Sequence, residues 1–89
     1  MKYMILDGNM IQSREHLHEI LARELRLPDW YGHNLDALYD CLTDIFEDTV
    51  ISVVNLEQLS EELQQYCLRL LRVLRDAAAE NPHIHLNII

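Results

Sequence analysis

The run from Thr49 to Leu56, TVISVVNL, constrains the fold of this chain more than any other stretch. It is the most continuously apolar segment and is rich in β-branched residues, which pack well on the pleated surface of a sheet. A strand that is apolar on both faces is usually interior to a parallel sheet. The run therefore predicts the central strand of such a sheet, with its neighbours supplied by other parts of the chain.

Two further segments supply those neighbours. Residues 2–7, KYMILD, predict a strand that ends at the turn signal Gly8-Asn9. Residues 83–89, HIHLNII, alternate polar and apolar side chains, as a strand with one buried face does. The connections between the strands are long, so parallel pairing with right-handed crossovers is expected. The predicted strand order is 1-2-3, with the apolar strand in the middle.

The first connection predicts two helices. Ser13 is a good N-cap for a helix over about 14–26, and Pro28 stops that helix because a proline restricts the residue before it. Asn34 caps a second helix over about 35–46. The predicted buried stripe of this second helix consists of apolar residues at helical spacing: Leu35, Leu38, Leu42, Ile45 and Phe46.

The second connection, residues 57–80, is helical in character throughout. As one continuous helix it would extend about 36 Å at 1.5 Å per residue, which overshoots a domain of this size. We therefore expect a break within residues 60–66, which divides the segment into a short helix and a longer one closed by Asn81-Pro82. Because 89 residues suffice for one modest core, the chain is predicted to be a single α/β domain over residues 1–89.

Residues 27–48, LPDWYGHNLDALYDCLTDIFED, carry six of the 15 acidic side chains and neither Lys nor Arg. We expect Gly32 to supply a positive φ in the loop before the helix. At about 100° per residue, the polar residues of the second helix gather opposite its apolar stripe: Asp36, Asp40, Thr43 and Glu47, bordered by Tyr39 and Asp44.

This acidic stripe has two interpretations, a solvated surface and a binding surface. Like charges four residues apart on a helix repel by a few tenths of a kcal/mol, and the stretch contains no cation that offsets Asp36 and Asp40. Aromatic side chains flank the stripe, and aromatic groups beside charges are typical of interface hot spots. These aromatic residues are Trp30, Tyr31 and Tyr39. The pattern favours a surface that binds a partner.

The charge of the chain restricts the partner. The formal net charge is −8, so nucleic-acid phosphates and anionic membrane surfaces would be repelled, and neither is expected as a direct partner. Between Arg26 and Arg69 there are nine acidic residues and no Lys or Arg. This distribution favours electrostatic attraction toward a basic protein.

Other features bear on the cellular compartment. The N-terminus, MKYMILDG, is too short and too acidic for a signal peptide, and no apolar run approaches the ~18 residues that a membrane span needs. Cys41 and Cys67 lie inside apolar helical patterns, which predicts two reduced and buried thiols. We therefore expect a cytoplasmic protein.

Catalysis and metal binding fit the sequence poorly, and no cofactor is expected. Two carboxylates on one short exposed helix lack a pocket that would raise the pKa of either, and the chain has no Gly-rich phosphate loop. The five histidines show no ligand spacing such as HExxH, and no CxxC occurs. We therefore expect a binding protein rather than an enzyme.

The residues of the acidic stretch resemble the barstar family of intracellular inhibitors of the secreted ribonuclease barnase. The shared string is LP…YG.NLDAL.DCLT within residues 27–43, and a weaker likeness covers essentially all of the chain. The resemblance implies a barstar-like two-layer fold, with a three-stranded parallel sheet packed against about four helices. It also implies a basic extracellular ribonuclease of the barnase type as the protein partner, and a monomer when the protein is free.

The resemblance further implies which residues bind the partner. Asp40 matches the carboxylate that enters the phosphate site of the ribonuclease, Asp36 matches a second on the same face, and Asp76 matches a further acidic contact. Trp30 matches the aromatic residue that packs on the catalytic His of the enzyme. The remaining matched contact positions are Gly32, Asn34, Leu35, Tyr39, Thr43 and Asp44. Carboxylates would thus occupy the cationic positions that otherwise bind RNA phosphates.

The sequence departs from barstar at several of these positions. Trp30 replaces a Tyr, Tyr39 replaces a Trp, and Asp76 is one methylene shorter than the Glu it matches. Asp44 replaces a Gly and Ile45 a Trp, which changes the rim most. The sequence therefore leaves two targets to consider, barnase and a relative of barnase. An immunity-type module for a different basic toxin or protein remains the alternative interpretation.

Overall fold

Three parallel strands form the sheet in a computed structural model that describes residues 1–89. They are β1 (Lys2–Asp7), β2 (Thr49–Val54) and β3 (Ile84–Ile88), and the spatial order is β1-β2-β3. In the register, Met4 of β1 lies beside Ile51 of β2. The predicted strands, their order and their parallel pairing are confirmed.

Helices cover one face of this sheet. The side chains that β1 and β2 turn toward the helices are buried, whereas Tyr3 and Ile5 on the other face of β1 are exposed. The helices are α1 (Arg14–Glu24), α2 (Leu35–Thr43) and α3 (Glu61–Glu80). The core between the two layers contains Leu6, Leu21 and Leu74, all fully buried. The expected two-layer α/β arrangement is therefore confirmed.

The expectation of about four helices is wrong, because the structure has three. Residues Leu56–Gln58 form only a short 3-10 turn, and Asn55 before it has a left-handed backbone with φ of 59°. Ser60 then caps α3 by accepting a hydrogen bond from the amide of Leu63. The break thus precedes the helix, and the 20 residues of α3 run without interruption. At 1.5 Å per residue α3 is about 30 Å long, which fits the longest dimension of the domain, 33 Å.

The second helix is shorter than predicted, and Phe46 is not part of its buried stripe. The helix ends at Thr43, Ile45 is half-buried, and Phe46 is 88% exposed. The carbonyl oxygen of Leu42, which a longer helix would pair with the amide of Phe46, instead accepts hydrogen bonds from Asn81 Nδ2 at 2.9 Å and from the amide of Ile45 at 3.3 Å. A side chain from a distant part of the chain therefore ends the helix.

Both thiols are free and buried, as the sequence predicts. Cys41 lies on the inner side of α2 and Cys67 on that of α3. Burial raises the pKa of both thiols, because the thiolate form is disfavoured in apolar surroundings. They are small core residues in the reduced form.

Asn81 joins three elements. Its Nδ2 donates to the carbonyl oxygens of Leu42 and Ile45, at 2.9 and 3.0 Å, and its Oδ1 accepts from the amide of His83 at 2.9 Å. Its own amide donates to Ala77 in the last turn of α3. The buried amide of Asn81 thus connects the end of α2, the end of α3 and the entry to β3.

Replacement of Asn81 by Ala is expected to lower the free energy of unfolding by about 2–4 kcal/mol, because the carbonyl oxygens of Leu42 and Ile45 lose their side-chain donor and the amide of His83 loses its acceptor. Equilibrium urea denaturation measures the change. Asn87→Ala is the matched control, since Asn87 lies on the exposed face of β3 and should change stability by less than about 0.5 kcal/mol. Equal losses in the two variants would contradict the structural role of Asn81.

Candidate functional site

The N-terminus of α2 positions the acidic stripe. Asn34 Oδ1 accepts a hydrogen bond from the amide of Ala37 at 2.8 Å, as an N-cap does. Asp36 follows in the first turn, where the helix dipole favours a carboxylate. Asp36 and Asp40 are both exposed, one turn apart. The cap and the dipole therefore stabilise a helix whose outer face is negatively charged.

A shallow groove between α2 and α3 brings the predicted acidic residues together. Asp36 and Asp40 line it from α2, and Asp76 lines it from α3. Its floor consists of the apolar parts of three further side chains: Leu35, Tyr39 and Val73. Asp76 lies beside the acidic stripe of α2 because α3 packs against α2. We call the side chains of Asp36, Asp40 and Asp76 the carboxylate cluster.

Val73 was not identified from the sequence. It lies three residues before Asp76, so both residues are on one face of α3. This spacing could have identified Val73 from the sequence. Leu35, a predicted contact residue, is buried, so it contributes to the floor of the groove more than to its surface. Tyr39 is half-buried and packs against the core.

The carboxylates of this groove have no ionic partner. The acidic residue of residues 27–48 that does contact basic side chains is Asp48, whose Oδ1 lies 3.0 Å from His83 Nδ1 and 3.7 Å from His85 Nε2. A hydrogen bond from His83 lowers the pKa of Asp48. No salt bridge reaches Asp36, Asp40 or Asp76 within the 4.0 Å limit for an ion pair. The carboxylate cluster therefore has no intramolecular ion pair that a partner would have to break.

The other predicted contact residues flank the groove on two sides. Trp30, 68% exposed, and Gly32 lie in the loop that precedes α2. Thr43 and Asp44 lie at the end of α2, where Thr43 Oγ1 donates to the carbonyl oxygen of Asp40 and Asp44 is exposed. The predicted positive φ at Gly32 is wrong, because His33 has that conformation, with φ of 54°. Gly32 instead leaves room for the side chain of Asn34.

Tyr31 has a different role from Trp30, although the sequence placed both beside the stripe as surface aromatics. Tyr31 is buried, and its hydroxyl is hydrogen-bonded to His18 Nδ1 at 2.5 Å. His18 Nε2 is hydrogen-bonded to the hydroxyl of Tyr66 on α3 at 2.7 Å. His18 thus connects the loop before α2 to α1 and α3, and it holds the exposed Trp30 on an anchored segment.

His18 was not identified from the sequence as a core residue. It precedes Leu21 by three residues and Leu25 by seven, a spacing that places it on the apolar face of α1. Burial lowers the pKa of His18, and the nearby His33 adds to this effect while Glu15 opposes it. The neutral imidazole accepts one hydrogen bond and donates the other, so a Tyr hydroxyl satisfies each ring nitrogen.

The structure shows no group of three or more His, Cys, Asp or Glu side chains arranged to hold a metal ion. No helix is long and apolar enough to cross a membrane. The groove is shallow and open, and its chemistry consists of unpaired carboxylates around an apolar floor. Such a surface suits contact with a protein that presents cationic side chains.

Comparison with known proteins agrees with this arrangement. A family model described as "Barstar (barnase inhibitor)" matches residues 1–88. A protein of Bacillus subtilis (strain 168), named "Putative ribonuclease inhibitor YrdF", is 39% identical over 82 residues, which cover 90% of this chain and 89% of that protein. Both matches extend over nearly the whole length, so they include the groove, the loop before it and the core that positions them.

The buried His18 predicts a pH-dependent stability. Its pKa is below the ordinary value of 6.5 in the folded state, so the unfolded chain binds more protons when the pH falls below that value. The free energy of unfolding should therefore decrease as the pH falls from about 7.5 to about 5.

The change His18→Gln should make this decrease shallower, whatever it does to stability at neutral pH. Urea denaturation at a series of pH values measures the slope. His16→Gln is the control on the same helix, since the side chain of His16 is not part of the buried tyrosine network, and it should retain the wild-type slope. An unchanged slope in the His18 variant would rule out this histidine as the cause.

Proposed function

The chain belongs to the barstar family, and from this premise we propose that it inhibits a basic extracellular ribonuclease of the barnase type by occupying its active site. The surface that enters the active site consists of α2 and the loop before it. Its carboxylates take the positions of RNA phosphates among the cationic side chains of the enzyme. A role as a ribonuclease inhibitor, rather than as an enzyme, is what the family and the relative support.

The observation that carries this proposal is the convergence of three unpaired carboxylates from two helices in one groove. Asp36 and Asp40 repel each other on α2, and Asp76 from α3 adds a third negative charge. The free protein has no cation that relieves this repulsion by direct contact. Arginine binds carboxylates and phosphates with the same two-pronged geometry, so a phosphate-binding site supplies the missing partners.

The loop before α2 supports the proposal in a second way. Trp30 exposes most of its ring to solvent, and Trp is one of the residues most enriched among interface hot spots. The adjacent Tyr31 is fixed by its hydrogen bond to His18, so the loop is already ordered in the free protein. Trp30 can therefore bind without a large entropic cost of ordering the loop. In the proposed complex it packs on the catalytic His of the ribonuclease.

We also infer the compartment and the oligomeric state of the inhibitor, and the effect of its net charge. The inhibitor acts in the cytoplasm, where it protects the cell that makes the ribonuclease, and it is a monomer until it binds. Its net charge of −8 attracts a basic enzyme over a distance, which raises the association rate. The same charge disfavours direct contact with RNA.

An RNA-cleavage assay tests the proposal with barnase and a panel of other small, basic, secreted ribonucleases. Asp40→Ala should raise the inhibition constant at least about 100-fold, because it leaves cationic groups of the enzyme buried without a partner. Glu57→Ala is the control with the same change of net charge, since Glu57 is exposed in the 3-10 turn after β2. It should change the inhibition constant by less than about threefold.

Inhibition that survives Asp40→Ala would contradict the phosphate-mimic mechanism. Failure of the wild-type protein to inhibit any ribonuclease of the panel at micromolar excess would contradict the proposed target class. In that case, recovery of a basic protein without ribonuclease activity from host extracts would favour the alternative, a binding module for a different toxin. The exposed Phe46, just beyond the end of α2, is the feature of the rim that this alternative would use.

A further inference from the structure

The groove between α2 and α3 continues beyond the carboxylate cluster into a region of opposite charge. Asp36 and Leu35 also line an adjoining depression with Arg69 and Arg72 of α3. They line a third depression with Arg14, Arg69 and Tyr66. Leu35 and Asp36 are common to all three depressions, so the acidic and basic regions form one continuous surface. We call Arg14, Arg69 and Arg72 the arginine band.

The structure positions two members of this band. The guanidinium carbon of Arg14 lies 4.5 Å from the centre of the Tyr66 ring, and that of Arg69 lies 5.6 Å from it. These are cation–π distances, and Tyr66 is itself fixed by the hydrogen bond to His18. The two guanidinium groups are therefore held at the surface by a ring that the core orients.

The band does not neutralise the carboxylates next to it. All three arginines are exposed, and none forms a salt bridge within 4.0 Å, not even with the neighbouring Asp36. Arg69 and Arg72, three residues apart on α3, repel each other weakly. The chain has only seven Lys and Arg residues, and these three lie where a basic partner would approach. Attraction toward a purely basic surface would be stronger without them.

We infer that the arginine band contacts acidic side chains of the ribonuclease, at the edge of its RNA site. This inference rests on the proposed function and adds a feature of the partner: its cationic site is bordered by carboxylates on the side that faces α3. The carboxylate cluster then pairs with the RNA site and the arginine band with its acidic border. Two adjacent patches of opposite sign fix the orientation of binding, and they disfavour basic ribonucleases that lack the acidic border.

The direction in which a charge reversal changes the inhibition constant tests the inference. Arg72→Glu makes the inhibitor more negative, so simple attraction to a basic enzyme predicts an unchanged or lower inhibition constant. The arginine band predicts the opposite, an increase of roughly tenfold or more, because attraction becomes repulsion at the acidic border. The measurement uses the ribonuclease of the panel that the wild-type protein inhibits most strongly, at low and high salt, and the difference should shrink at high salt.

Arg75→Glu is the matched control. Arg75 is exposed on the same helix, its reversal changes the net charge by the same amount, and it does not line the groove. The inhibition constant of the Arg75→Glu variant should stay within about threefold of the wild-type value or fall below it. In a second arm, each Asp or Glu at the edge of the RNA site of the enzyme is replaced by Lys, and at least one replacement should restore inhibition by the Arg72→Glu variant.

The outcomes separate this inference from the proposed function. If the wild-type protein inhibits and Asp40→Ala does not, but Arg72→Glu binds as tightly as Arg75→Glu, the arginine band has no role and the proposed function stands. If Arg72→Glu binds more weakly but no Lys replacement restores inhibition, the contact with an acidic border is wrong. If the wild-type protein inhibits no ribonuclease of the panel, both the proposed function and this inference are overturned.

Discussion

The hydrogen bonds of one buried amide join the ends of α2 and α3. Asn81 Nδ2 binds the carbonyl oxygens of Leu42 and Ile45 at the end of α2, while the backbone of Asn81 closes α3 and leads into β3. Because a buried carbonyl without a donor costs about 1–3 kcal/mol, these bonds fix where α2 ends and how it lies against α3. The groove that joins Asp36 and Asp40 to Asp76 exists only in that relative position.

A second polar network fixes the other end of the same surface. The two ring nitrogens of His18 are hydrogen-bonded to the hydroxyls of Tyr31 and Tyr66. The loop with Trp30 and the Tyr66 ring that contacts the arginine band therefore both depend on one imidazole. No buried side-chain polar atom in the structure lacks a hydrogen-bond partner. Fully satisfied networks of this kind rigidify a core, and here they fix the positions of exposed groups.

The sequence predicted those parts of the structure that depend on local patterns. The strand segments, the caps Ser13 and Asn34, and the helical character of residues 57–80 follow from apolar periodicity and from residues near each boundary. Two features that the sequence did not predict depend on contacts between distant segments. The exposure of Phe46 follows from a hydrogen bond across 39 residues, between Asn81 and Leu42, and the burial of His18 from one across 48, to Tyr66. Helical spacing within one segment does not reveal a hydrogen-bond partner that lies in a distant segment.

The proposed binding surface carries charges of both signs, so the net charge of the chain describes it incompletely. A net charge of −8 and the stripe of α2 indicate a basic partner, and the unpaired carboxylate cluster agrees with this. Yet long-range attraction depends on total charge, whereas orientation depends on how charges of both signs are arranged. The sequence separates Arg69 and Arg72 from Asp36 by more than 30 residues, and only the packing of α3 against α2 places them side by side. In the proposed complex, total charge sets the rate of encounter, while the boundary between the two patches selects the docked orientation.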